Sequence, residues 1–169
     1  MNHIILIGFM GAGKTTIGKK LARKLEVQFV DTDEMVETQT GRKISDIFAE
    51  DGEAFFRNLE TDMLHQLMQR EARCVIAVGG GLPMQPVTRP LLKELGKVVF
   101  LEADIEALMQ RLRGDTSRPK LQGGDLRERI ETLMDQRLEV YLETADIRVS
   151  TDTQGFSQIL QEIVEKTAE

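Results

Sequence analysis

Short apolar runs and longer stretches of helical spacing take turns along this chain. Ile4 to Ile7, Val27 to Val30, Cys74 to Val78, Val98 to Leu101 and Ile147 to Val149 read as strands. Runs that are largely apolar, rather than alternating, suit strands covered on both faces. Between them, apolar positions recur three and four residues apart. This spacing predicts helices near Lys14 to Leu25, Glu34 to Thr40, Ile44 to Arg70 (broken near Asp51-Gly52), Thr88 to Leu95, Ile105 to Arg113, Leu126 to Glu143 and Phe156 to Lys166. Strand–helix alternation of this kind predicts an α/β fold, a parallel sheet with helices on both faces. No repeat and no long linker divides the 169 residues, so one domain over 1–169 is expected. Two places interrupt the rhythm. One is the long helical stretch after the second strand; the other is GDTSRPKLQGG, Gly114 to Gly124. Such insertions in a small α/β domain are either lids and substrate-gripping pieces or ordinary surface loops.

The first strand runs straight into GFMGAGKTT, Gly8 to Thr16. Gly8, Gly13, Lys14 and Thr15 satisfy G-x-x-x-x-G-K-[ST], the phosphate-cradling P-loop, in its required place between strand and helix. Glycines let backbone N–H groups wrap an anion closely, and the helix that opens at Lys14 turns its positive end toward the same point. Lys14 adds a full charge near the β- and γ-phosphates, and Thr15 offers a hydroxyl to Mg²⁺.

Composition narrows the partners. Lys plus Arg total 22 against 28 Asp plus Glu, a net charge of −6, which argues against general nucleic-acid or anionic-membrane binding. The single cysteine, Cys74, excludes an internal disulfide and reads as a small buried hydrophobe. His3 and His65 have no partners at zinc-ligand spacing. No apolar stretch approaches the ~18 residues a membrane span needs, and Met-Asn-His lacks the basic region of a secretory signal. A soluble, cytoplasmic protein is expected.

Further candidate residues cluster at strand ends. Phe29-Val30-Asp31-Thr32-Asp33 closes the second strand, and the carboxyl ends of parallel strands share one edge, where ligands bind. One of Asp31 and Asp33 can hold Mg²⁺ through water and the other can accept hydrogen bonds from a substrate hydroxyl; alternatively, Asp33 caps a helix starting at Glu34. Gly79-Gly80-Gly81 ends the third strand and brings bare backbone close to a ligand or to another part of the chain. Arg137 lies in the middle of the stripe formed by Leu126, Ile130, Leu133 and Tyr141. A guanidinium on a core-facing stripe needs a fixed anion, either an internal carboxylate or one carried by a substrate. Arg57 stands at the edge of its helix's apolar face with Glu53 four residues earlier, which admits a plain ion pair. Arg111 falls off its helix's apolar stripe.

With these residues assembled, the chain resembles the shikimate kinases. GFMGAGKTTIGKKLA, FVDTDEMVE, GEAFFR, VGGGLP, TSRP and QRLEVY occur in that family's order and spacing over nearly the whole length. The resemblance implies a P-loop NTPase three-layer sandwich of the nucleoside monophosphate kinase type. Its five-stranded parallel sheet would have order 2-3-1-4-5, with a substrate-binding insertion at about 32–62 and a lid at about 113–125. It implies transfer of the γ-phosphoryl of ATP to the 3-hydroxyl of shikimate, with Mg²⁺, in aromatic amino acid and chorismate biosynthesis. Gly11, Ala12, Gly13, Lys14, Thr15 and Thr16 would bind ATP, with Arg111 facing the adenine and Gln154 bordering it. Thr15 and, through water, Asp31 would hold the metal. Asp33, Arg57, Gly79, Gly80, Gly81 and Arg137 would bind shikimate. Lys14, Asp33 and Arg118 would be the catalytic set. Lys120 departs from the family's usual leucine in the lid. A kinase of another small hydroxy acid such as gluconate, or a non-catalytic ATP-binding module, are the alternatives. No coiled-coil heptads are apparent, so a monomer is expected.

Overall fold

The computed structural model describes residues 2–115, 119–121 and 123–169. Among them, five parallel strands form one sheet: β1 His3–Ile7, β2 Gln28–Asp31, β3 Cys74–Ala77, β4 Gly96–Glu102 and β5 Ile147–Ser150. Their spatial order is β2-β3-β1-β4-β5. The helices are α1 Lys14–Leu25, α2 Thr32–Thr40, α3 Ile44–Asp51, α4 Glu53–Leu67, α5 Thr88–Leu95, α6 Ile105–Leu112, α7 Leu126–Thr144 and α8 Phe156–Thr167. Short 3-10 turns add Leu82–Met84 and Pro119–Leu121. The helical stretch expected over Ile44 to Arg70 breaks at Gly52, where the break is expected, and ends at Leu67. Gly52, at a φ of 86°, closes α3 and opens α4 in one residue.

β1 is central, and all five of its residues are buried. It pairs with β3 through Ile5↔Ile76 and with β4 through Ile5↔Val98. Successive residues of a strand point to opposite faces, so the sheet feeds two separate cores. Ile5, Ile7, Ile76, Val98 and Phe100 pack with Leu64 and Leu67 of α4, Leu92 and Leu95 of α5, and Tyr141 of α7. Ile4, Leu6, Val75, Val99, Leu101 and Val149 pack with Ile17 and Leu21 of α1 and with Ile159 and Ile163 of α8. The result is three layers, and it explains why the strands read as apolar runs.

Two smaller clusters support what stands above the sheet's carboxyl edge. Val36, Ile47, Phe56 and Met63 bind α2, α3 and α4 into one piece. Phe9, Leu108, Leu112, Leu121, Ile130 and Leu133 join the P-loop, α6, α7 and the Pro119–Leu121 turn. The register Asp31↔Ala77 sets the ends of β2 and β3 side by side, next to the loop that leaves β1.

Candidate active site

The P-loop forms from its own sequence. Gly13 adopts a φ of 98° as the residue before α1, a conformation that costs glycine little and other residues much. Lys14 Nζ reaches back over the loop and donates to the carbonyls of Gly8 (2.7 Å) and Phe9 (3.0 Å). Its ammonium therefore stands over the mouth of the loop. Thr15 Oγ1 donates to Asp31 Oδ2 at 3.1 Å. The same carboxylate caps α2, with Oδ1 accepting from the N–H groups of Asp33 (2.9 Å) and Glu34 (3.3 Å). The alternative in which Asp33 caps a helix from Glu34 is thus corrected: the helix starts at Thr32 and Asp31 is its cap. A hydroxyl and a carboxylate brought together at a phosphate site are hard oxygen donors, and they fit Mg²⁺, which takes few protein ligands and keeps several waters.

Two hollows open from this loop. One, of about 500 Å³, is lined by Gly11, Gly13, Lys14, Thr15, Thr16, Asp31 and Asp33 among others. The other, of about 320 Å³, lies between α1 and α8 and is lined by Ala12, Thr16, Arg111, Gln154 and Phe156 among others. Arg111, though exposed, reaches this cleft and is tied to the loop by donating to the Gly11 carbonyl at 2.8 Å. Gln154 Nε2 donates to the Ser150 carbonyl (2.9 Å) and to Glu162 Oε2 (2.7 Å). Both acceptors lack hydrogens, which settles the orientation of the amide. Lys166 first, then this amide, holds the Glu162 carboxyl below its ordinary value. Phe156, 49% exposed, is an aromatic wall of the cleft that the sequence reading passed over as the start of an amphipathic helix.

A third hollow, of about 200 Å³, brings together Asp33, Arg57, Glu60, Gly79, Gly80, Gly81, Lys120 and Arg137. α4 contributes Arg57, whose Nη1 donates to Glu60 Oε1 at 2.6 Å and whose Nη2 donates to Glu53 Oε1 at 3.3 Å. Arg57 is 12% exposed in its side chain and Glu60 1%, so the principal partner is the buried one, not Glu53 as the sequence spacing suggested. Glu60 Oε2 is buried with no hydrogen-bond partner among the described residues. Burial pushes the Glu60 carboxyl up to about 7; Arg57 and Arg137 oppose the rise, and Asp33 adds to it. Sequence reasoning missed Glu60, although a signal existed. It falls on the buried stripe of Phe56, Met63, Leu64 and Leu67, as Arg137 falls on that of α7.

Arg137 is 4% exposed. No carboxylate pairs with it among the described residues, and its Nη1 is buried without a hydrogen-bond partner. Its guanidinium lies 5.7 Å from the Phe9 ring centroid. One turn further on, Tyr141 is fully buried and donates from its hydroxyl to the Gly80 carbonyl at 2.5 Å. The glycine triplet is shaped by these side chains rather than by unusual dihedrals. A Cβ on Gly79 would stand 2.7 Å from Asp33 Oδ1 and 2.9 Å from Glu60 Oε2; one on Gly80, 3.2 Å from Arg137 Nη1; one on Gly81, 2.8 Å from Arg57 Cζ. Each glycine makes room for a different charged group of the cavity.

Lys120 enters the cavity from the Pro119–Leu121 turn and donates to Glu53 Oε2 at 2.6 Å. That contact is the main cause holding the Glu53 carboxyl below its ordinary value. Arg118, expected in the catalytic set, lies outside the described residues.

The strand order, the P-loop and a charged cavity beside it define a P-loop phosphotransferase of the nucleoside monophosphate kinase type. A sequence model of the shikimate kinase family matches residues 10–168. A shikimate kinase from Persephonella marina is 41% identical over 164 residues, 97% of this chain and 98% of that one. The structure of shikimate kinase from Acinetobacter baumannii in complex with shikimate superposes with a TM-score of 0.92 at 38% identity, covering 98% of this chain and 92% of that one. A gluconokinase from Sinorhizobium meliloti superposes with a TM-score of 0.55 at 17% identity, covering 99% and 91%, a likeness of fold alone. The chain belongs to the shikimate kinase family, and it is an ATP-dependent kinase.

Proposed function

We propose that this chain transfers the γ-phosphoryl group of ATP to the 3-hydroxyl of shikimate, giving 3-phosphoshikimate and ADP, a step of chorismate and aromatic amino acid biosynthesis. The observation that carries this reading is Arg137: a buried guanidinium without an ion-pair partner among the described residues, on the wall of a cavity it shares with Arg57. Burying an unpaired cation is costly, and a ligand carboxylate offsets that cost. The A. baumannii relative holding shikimate, a small ring acid, in its structure supports the assignment.

The chain's residues divide the work. Arg57, oriented by Glu60, and Arg137 grip the carboxylate, and the Gly79 to Gly81 backbone borders the ring. Asp33, beside Gly79, accepts hydrogen bonds from the ring hydroxyls and holds the attacking one. Gly11 to Thr16 wrap the triphosphate, Lys14 neutralises its terminal charge, and Arg111 and Phe156 flank the base. Thr15 and, through water, Asp31 would hold the metal. Bound Mg²⁺ neutralises charge on the phosphate oxygens. From the family pattern, Arg118 completes the charge stabilisation as the lid residue. Such transfers depend on positioning and electrostatics more than on covalent chemistry. The unit is proposed to act as a cytoplasmic monomer on small molecules; no described helix is long and apolar enough to cross a membrane, and the net charge of −6 disfavours nucleic acid.

The test is ADP release with shikimate, quinate, gluconate, AMP and no acceptor. Turnover with shikimate well above all others is expected. Activity only with another acceptor overturns the substrate, and no activity with any of them overturns the enzyme reading.

A further inference from the structure

We propose that Tyr141 is a positioning residue for the acceptor site: its hydroxyl orients the Gly80–Gly81 peptide so that the Gly81 N–H faces bound substrate. The inference rests on the shikimate-binding reading of the cavity.

The glycine triplet has no side chains to hold it, so its peptide planes are free to rotate unless their polar groups are fixed. The carbonyls of its outer members are fixed locally: Gly79 O accepts from Leu82 N at 3.0 Å and Gly81 O from Met84 N at 3.1 Å, both within the 3-10 turn. The Gly79 N–H donates to Thr32 Oγ1 at 3.1 Å. The middle carbonyl, Gly80 O, has no such local partner and is held from α7 by Tyr141. Among the described residues no peptide bond is cis. In a planar trans peptide the C=O and the following N–H point in opposite directions. Drawing Gly80 O toward Tyr141 therefore aims the Gly81 N–H the other way. Gly81 lines the cavity, and neither Gly80 N–H nor Gly81 N–H meets an acceptor among the described residues.

The tyrosine is itself well fixed. Its ring packs on Phe100 of β4 with centroids 5.2 Å apart. Burial raises its pKa, so the hydroxyl stays protonated and can donate throughout the working range of pH. It also lies four residues after Arg137 on the same helix face. One element thus carries both a carboxylate grip and the tether of the backbone beside it.

A buried phenol needs an acceptor in any case, so the experiment must separate positioning from stability. Tyr141→Phe keeps the ring and removes only the hydroxyl. The expected result is a rise in shikimate KM of about tenfold, with ATP KM within about twofold of wild type and a thermal midpoint lowered by only a few degrees, the scale of one lost hydrogen bond. Equal effects on both substrates, or none on shikimate, overturn the proposal. A second measurement needs no variant. In wild-type protein labelled with ¹⁵N-glycine, the Gly81 amide resonance should shift on adding shikimate without nucleotide, and a stationary Gly81 resonance overturns the proposal. A wild-type chain inactive with shikimate defeats the functional reading and this inference with it. An active wild type with an indifferent Tyr141→Phe defeats this inference alone.

Discussion

Glu60 gives the sharpest test of the electrostatics, and Glu60→Gln is the perturbation. A glutamate in an unfolded chain releases its proton near 4.5, whereas buried Glu60 holds its proton to about 7. Below 4.5 both states are protonated and the group is neutral toward folding. Between 4.5 and about 7 the folded state retains a proton that the unfolded state has lost, so stability falls as pH rises. Above about 7 the full cost is present. Over the interval from pH 5 to pH 8, at roughly 1 kcal/mol or slightly more per pH unit, the loss from this group is on the order of 2 to 3 kcal/mol. Glutamine cannot titrate, and its oxygen can still accept from Arg57 Nη1. Urea unfolding of ligand-free wild type and Glu60→Gln at pH 5 and pH 8 isolates the term, because groups not coupled to Glu60 cancel in the double difference. The wild type should lose about 2 to 3 kcal/mol more than the variant between the two pH values, roughly 1 M in urea midpoint at ordinary m-values. Asp33 strengthens the effect, whereas Arg57 and Arg137 weaken it. Parallel pH profiles, within about 0.5 kcal/mol, would show that Arg57 keeps Glu60 ionised in the folded state and would refute the reasoning.

Arg137→Ala should raise the shikimate dissociation constant by about 10²-fold, the scale of a charge-assisted hydrogen bond, and leave ATP binding unchanged; calorimetry with each ligand checks both halves. Lys120→Leu restores the family's usual residue and removes the pair with Glu53, whose partners are 37% and 45% exposed. Screening at that exposure limits the change in stability to about 0.5 kcal/mol or less, measurable by urea titration in low and high salt.

The chain discloses its parts unevenly. The layers follow from apolar runs separated by helices, because a strand covered on both faces shows its burial in consecutive residues; the strand order comes from the family resemblance, and the sheet has it. Strand ends are less legible. β4 begins at Gly96, two residues before its apolar run, since Gly96 lies in register with His3 of β1; a neighbour's ladder, not hydropathy, sets that boundary. Asp31 and Asp33 are alike in sequence, and only the folded cap shows that Asp31 serves both Thr15 and the start of α2. Arg111 lies off its apolar stripe, yet a bond across 100 positions of sequence joins it to the P-loop, and no spacing rule reaches that far.

The two halves of the candidate site differ in the same way. The phosphate half is contiguous, because a backbone cradle needs consecutive residues with special dihedrals. The acceptor half is scattered over α2, α4, the end of β3 and α7, because it is built from side chains that meet only once the layers have formed. What exposes it in sequence is a charge where the helical period demands an apolar residue. Arg137 shows this, and Glu60 shows it equally. The glycine triplet then follows from those charges rather than preceding them: Gly79 clears Asp33 and Glu60, Gly80 clears Arg137, and Gly81 clears Arg57. Three adjacent glycines are therefore the imprint on one strand end of groups supplied by three different helices. A methyl group at Gly79 would press on two carboxylates at once, so the triplet's composition is set by the site it borders more than by the turn it makes.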